Sequence, residues 1–142
     1  MACADAHDPL FGRLREVAHP GHLQPSDILS GARTVIAYFL PFSRDIIAGN
    51  GSGRYASEGW ARAYIETNAL IALVNTRMSA VLESHGFRAG TIAPTHNFDA
   101  QTLLSPWSHR HAAYTAGLGT FGLNRMLITE QGCCGRIGSL VT

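Results

Sequence analysis

The chain has 142 residues, 46% of them apolar and 15% charged, with 15 Gly and 6 Pro, a balance that describes one globular domain and excludes a disordered or fibrous chain. A formal charge of +1 removes the basic footprint of a protein that tracks phosphate backbones, so nonspecific nucleic-acid binding is excluded as a function class. Every basic residue is Arg, which also excludes Schiff-base chemistry on Lys and the lysine of a phosphate loop.

In chain order, the first element is a short helix from Asp8 to Ala18, with an acidic start, Pro9 in its first turn and Leu10, Leu14 and Val17 as apolar positions. His19-Pro20-Gly21 and Ser30-Gly31 punctuate the chain before Thr34 to Leu40 (TVIAYFL), a strand whose consecutive apolar residues predict a central position covered on both faces. Pro41 ends it, and the Gly- and Asn-rich stretch from Ser43 to Ser57 reads as a loop. From Glu58 to His85 the period turns helical, capped by Ser57 and stopped by Gly86, with Trp60, Tyr64, Ile71, Val74, Met78 and Val81 at helical spacing, Trp60, Tyr64 and Met78 among them expected in the core, and Glu58, Arg62 and Glu66 on the solvated side. Thr67-Asn68 are poor helix formers in its middle, which suggests side-chain bonds to a neighbouring segment. A strand from Phe87 to Ala93 follows, then a long polar connection from Pro94 to Ser105, a helix from Trp107 to Thr115, and strands from Met126 to Thr129 and Arg136 to Val141.

Three cysteines, Cys3 and the adjacent Cys133-Cys134, are an odd number, and Asp5, His7 and Asp8 stand where a secretory signal needs a basic flank. Both features point to a reduced, cytoplasmic protein. No run reaches the roughly 18 apolar residues of a membrane helix, and no C-x-x-C occurs to supply a zinc site or an iron–sulfur cluster.

The strongest motif is Ala116-Gly117-Leu118-Gly119-Thr120-Phe121-Gly122-Leu123-Asn124. Its glycines would let backbone approach a bulky ligand, or they would form a helix cap and a tight turn. A dinucleotide fingerprint needs strand, glycines and then helix, whereas here a helix comes first and a strand follows. With its flanks, Pro106 to Thr142 resembles the epoxyqueuosine reductases and related reductive dehalogenases. In these a proline stands ten residues before an A-G-L-G-x-x-G-x-N loop, which L-I-T and a closing L-x-T strand follow. Gly31-Ala32-Arg33-Thr34-Val35-Ile36 and Arg54-Tyr55-Ala56 are similar too, so the resemblance covers most of residues 25 to 142.

The resemblance implies an α+β, nitroreductase-like mixed sheet with flanking helices, with residues 1–24 as an N-terminal helical segment and 25–142 as a corrinoid-binding domain. It implies that cobalamin lies against Gly117, Leu118, Gly119, Gly122 and Asn124, with Leu127, Ile128 and Thr129 beside them. It also implies an iron–sulfur electron donor, whose 4Fe–4S clusters would sit in a following domain or a partner, and a small-molecule or modified-nucleoside substrate. The family's general acid, an Asp three residues before the proline, falls on Leu103, which cannot donate a proton.

Candidate replacements are His96 and Asp99 in the polar connection and Tyr114 one turn before the glycines. Arg136 and Arg110 could clamp an anionic group. His109 and His111, two apart on a helix, point about 200° from each other, so no metal is assigned to them. Cys133 and Cys134 read as two independent thiols on a turn. A nitroreductase-like flavin site and a non-catalytic carrier or interaction module are the alternative readings.

Overall fold

The computed structural model describes residues 1–51, 53–93 and 97–142. Strand β1 (Ala2–Asp5) leads into helix α1 (Pro9–Val17), where the Asp8 carboxylate accepts the Leu10 N–H at 2.9 Å and Pro9 opens the first turn. A short helix α2 (Pro25–Ile28) precedes β2 (Thr34–Pro41). Beyond it come α3 (Arg44–Gly49), α4 (Glu58–Ser84) and β3 (Gly90–Thr91). Helix α5 (His109–Thr115), the strands β4 (Gly119–Phe121) and β5 (Leu127–Thr129), and β6 (Gly135–Val141) complete the order.

The class is α+β. Four strands form one sheet in the order β1-β2-β6-β3, and β4 and β5 form a separate hairpin. Every pairing among the described strands is antiparallel, where a mixed sheet was expected, because each strand enters from the end at which its neighbour leaves. In the centre, β2 and β6 pair from Val35↔Val141 to Pro41↔Gly135.

β2 holds the interior position that its apolar run predicts. Val35 and Ala37, fully buried, face α1, α5 and the hairpin, where Phe11, Trp107, Ala112, Ala113 and Leu127 pack. Tyr38 points to the other side and donates its hydroxyl to the Ile71 carbonyl at 3.2 Å and to Asn75 Oδ1 at 2.8 Å, both on α4. Gly138, directly across from Tyr38, leaves room for its ring, since a Cβ there would collide with the phenol.

Four expectations change. Ala2–Asp5 is an edge strand, although ACAD has no β-branched residue: its main chain is recruited by β2 from Ala2↔Ala37 to Asp5↔Thr34. The stretch after Pro41 contains helix α3, begun by Ser43. The strand expected over Phe87 to Ala93 shrinks to Gly90–Thr91, because only these two pair with β6. Helix α4 is capped and stopped as expected, by the Ser57 hydroxyl and by Gly86 at φ +81°, but it is not the buried helix its apolar content suggests. Ala63, Ile71 and Asn75 are buried, whereas Tyr64 is 37% and Val81 60% exposed. Trp60 is half-buried, edge-on to Phe42. Among the described residues no helix is long and apolar enough to cross a membrane.

Candidate functional site

The glycine motif folds as a helix cap followed by a hairpin. Gly117, at φ +73°, donates its N–H to the Tyr114 carbonyl, and the Leu118 N–H reaches the Ala113 carbonyl, so the last turn of α5 closes on a left-handed residue that favours glycine. At Gly119 a Cβ would collide with the Ile128 carbonyl across the hairpin. At Gly122 it would stand 2.7 Å from the Ile128 side chain and 3.0 Å from Asn124 Oδ1. These two glycines therefore make room for the chain itself. Asn124 serves the turn, accepting the Met126 N–H at 3.1 Å.

Two clefts flank this hairpin. One, of about 440 Å³, is lined by Gly117 to Thr120, Ile128 to Gln131, Phe39 and the first two residues of the chain. The other, of about 350 Å³, lies between the start of α5 and the turn before β6, and is lined by Trp107, His109, Arg110, Leu127, Cys133, Arg136 and, again, Phe39. Of the residues expected at a cofactor, Gly117, Leu118, Gly119, Ile128 and Thr129 line the first cleft, and Leu127 and Arg136 line the second. Gly122 and Asn124, at the hairpin turn, line neither.

Arg136 is already engaged: its guanidinium donates to Asn68 Oδ1 at 2.8 Å and lies 4.3 Å over the Tyr64 ring. This accounts for Asn68 in mid-helix and leaves Arg136 poorly placed to clamp an anion. Arg110 donates to the Arg125 carbonyl at 2.9 Å.

The candidate proton donors are scattered. His96 lies outside the described residues. Asp99 is a turn organiser: its Oδ1 accepts from the N–H of Gln101 and from both the N–H and hydroxyl of Thr102, which holds its carboxyl below the usual range. Leu103, in the same loop, sits at φ +57° and is 72% exposed. Tyr114 opens into a third depression, with Phe121 at 5.4 Å between ring centroids and His111 alongside.

The two α5 histidines diverge as their spacing requires. His111 takes the side of Phe121 and Ser108. His109 is buried: its Nδ1 meets Ser139 Oγ at 2.7 Å and its Nε2 donates to the Ala93 carbonyl at 3.3 Å, while the Trp107 indole donates to the same Ser139 oxygen at 3.1 Å. A satisfied set follows, in which the indole N–H and the serine hydroxyl run as donors toward Nδ1 of a neutral imidazole. Burial pushes the His109 pKa down, and Arg136 adds to the effect. Ser139 has 2% exposure inside β6, so the short Ser–His contact holds the core together and presents no nucleophile.

Three other polar residues escape a reading of the sequence. His22, 1% exposed, donates Nδ1–H to its neighbour's carbonyl and accepts the Ser108 N–H at 3.2 Å. Asn97 receives the Ser105 hydroxyl on Oδ1, while its buried Nδ2, beside the second cleft, meets no partner among the described residues. Ser139 is the third. None belongs to a local motif; His22 and Ser139 meet partners 30 to 86 residues away, and Asn97 meets Ser105 across eight residues of an irregular connection.

Among the described residues no group of three or more His, Cys, Asp or Glu is set to hold a metal ion, and Cys3, Cys133 and Cys134 are free. No protein-family model matches the chain, and no curated protein sequence matches it. A crystal structure of a selenomethionine-labelled epoxyqueuosine reductase does match in three dimensions, with a TM-score of 0.54 at 14% identity. The likeness is one of fold. It covers 99% of this chain and 40% of that one, so the chain spans two fifths of the length of the structure it matches. That is a distant structural relationship over nearly the whole of the present domain.

Proposed function

We propose that this domain is the cofactor-holding part of an oxidoreductase, and that its ligand is a corrinoid, cobalamin, laid across the Phe39 ridge between the two clefts. The observation that carries this reading is the correspondence of 99% of the chain with an epoxyqueuosine reductase, together with the position of the glycine hairpin at the mouth of a cleft.

The residues fit a broad, flat ligand with amide edges. β4 pairs with β5 alone among the described strands, so its other edge offers main-chain donors and acceptors beside Gly119 and Thr120, and nothing stands within 4 Å of the position a Cβ would take at Gly117. Phe39 and Leu118 supply apolar surface. A corrin carries its metal in its own ring, and so makes no demand for a cluster of side-chain ligands. When bound, such a group supplies a metal centre able to pass electrons to substrate.

The chain's own contribution is to hold, orient and shield. His109, kept neutral by burial and by Ser139, stiffens the wall of the second cleft and is no acid at neutral pH. Leu103 and the ionised Asp99 supply no proton either, so the proton for a reduction comes from another candidate such as Tyr114, from solvent, or from the substrate, a small molecule or a modified nucleoside. Electrons come from an iron–sulfur donor outside these 142 residues.

The test is a visible-absorbance titration of the purified domain with cobalamin, flavin mononucleotide and NADH. Cobalamin is expected to bind, and Thr120→Trp, which fills the first cleft from an exposed position, is expected to weaken binding at least about tenfold with an unchanged circular dichroism spectrum. Tighter flavin binding transfers the reading to a nitroreductase-like flavin site. Binding of none of the three leaves an interaction module.

A further inference from the structure

Helices α1 and α5 leave between them the third depression, of about 260 Å³, which shares no lining residue with the clefts beside the hairpin. Leu10, Arg13, Leu14 and Val17 line one wall, at the i, i+3, i+4 and i+7 positions that make one face of α1. His111 and Tyr114, one turn apart on α5, line the other, and Phe121 completes it from the end of β4. Thr120, next to Phe121, lines the first cleft instead, because neighbours on a strand face opposite sides. The apolar face of α1 is thus only partly covered by the chain, with Leu14 buried and Val17 66% exposed.

The chemistry of the walls selects the ligand. Phe121 lies 5.4 Å from the Tyr114 ring and 5.0 Å from the His111 ring between centroids, tilted by 40° and 45°, so three flat rings stand around one small space. Such walls suit another flat ring, which can meet them by edge or face. Arg13 supplies the charge. Among the described residues it makes no ion pair or hydrogen bond, even with Glu16 on the next turn, and no carboxylate lines the depression. His111 turns Nδ1 to Ser108 Oγ at 2.8 Å, and burial holds its pKa below the ordinary value, so the imidazole is neutral at pH 7 and leaves Arg13 as the cation of the site. One guanidinium fork matches one carboxylate. The Tyr114 hydroxyl, likewise without a hydrogen bond among the described residues, adds a donor at the rim. The space falls short of the roughly 300 Å³ at which sites for drug-sized ligands begin, which sets the size at a single ring.

We propose that the depression between α1 and α5 is a binding site for a small aromatic carboxylate, with its ring among His111, Tyr114 and Phe121 and its acid group on Arg13. The site is separate from the clefts assigned to the cofactor, so the proposal does not rest on what they bind.

The experiment is a titration of the 142-residue chain with benzoate, followed by the shifts of its backbone amides in proton–nitrogen NMR spectra. Benzamide and cyclohexanecarboxylate are the controls, the one lacking the charge and the other the aromatic ring. Benzoate is expected to saturate, with shifts concentrated in residues 10–17 and 111–115, and each control to bind at least about fivefold more weakly. Arg13→Gln should weaken benzoate at least about tenfold and leave benzamide unchanged. Val17→Trp, which fills the space from its rim, should weaken all three. Circular dichroism should be unchanged for both variants, since both residues are solvent-exposed. Failure of benzoate to saturate overturns the proposal, as do shifts centred on residues 117–120 or binding indifferent to both variants. A control that binds as tightly as benzoate overturns the assignment of the ligand class.

Discussion

The two faces of the central sheet are closed in different ways. On the side of Val35 and Ala37, α1, α5 and the hairpin interlock: Phe11 stacks on Trp107 at 6.0 Å, Ser139 joins His109 to the Trp107 indole, and His22 accepts the Ser108 N–H inside the apolar packing. On the side of Tyr38, a single 27-residue helix is held at a few polar points, by Tyr38 on Asn75 and by Arg136 on Asn68 and Tyr64. Length is thus a poor guide to burial. A short helix such as α5, with Ala112 and Ala113 fully buried, is more deeply embedded in the core than one four times as long.

The two tryptophans give the largest contrast. Trp107, 2% exposed, belongs to the interlocked face, and Trp107→Ala is expected to cost about 3–5 kcal/mol. Trp60, half-buried against Phe42, belongs to the other, and Trp60→Ala should cost about 1–2 kcal/mol, both read from urea unfolding midpoints. Equal losses would remove the distinction between the faces.

Ser139→Ala leaves the Trp107 indole N–H and His109 Nδ1 without their common partner, at a cost of about 2 kcal/mol by the same measurement.

The faces should also fail at opposite ends of the pH scale. His22, His109 and His111 all have pKa values pushed below the ordinary 6.5, chiefly by burial. The unfolded chain then binds more protons, so stability is present above pH 6.5 and is lost as pH falls, with about 1.4 kcal/mol per pH unit for each proton taken up. Tyr38 runs the other way: burial pushes it up to about 12 from 10.0, so its contribution is intact below pH 10 and lost as pH rises toward 12. Thermal melting from pH 5 to 11 should show both limbs, and Tyr38→Phe should remove the alkaline one. That variant, which leaves Asn75 Oδ1 unpaired, is otherwise the mildest, at about 1 kcal/mol.

Elements whose cause is local were legible in the sequence. The run TVIAYFL announced a strand covered on both sides, and Asp8, Ser57 and Gly86 marked helix ends because a cap is an interaction over two or three residues. β1 was hidden because ACAD becomes a strand through its register with β2, not through propensity. The helix cap at Gly117 was legible as one of two readings of the motif, and the hairpin partner was not: the residue that makes Gly119 necessary is Ile128, nine positions on. Asn68 announced itself as a misfit, and its partner Arg136 lies 68 residues away. Ser139 gave no signal, since a lone serine in a glycine-rich strand looks the same whether it faces water or two buried rings.

The register of β2 with β6 also sets the order in which a newborn chain can mature. Val35 waits for Val141 and Pro41 for Gly135, separations of 141 − 35 = 106 and 135 − 41 = 94 residues. At a synthesis rate of about 5–20 residues per second, β2 spends roughly 5–20 s outside its final pairing. During that time its most apolar segment has an open edge and no opposite strand, a state prone to aggregation. The earliest protection available is local: the N-terminal β1 can pair along one edge of β2 at once. Among the described strands, β1 is thus the partner that is available to cover one edge of β2 before β6 has been made.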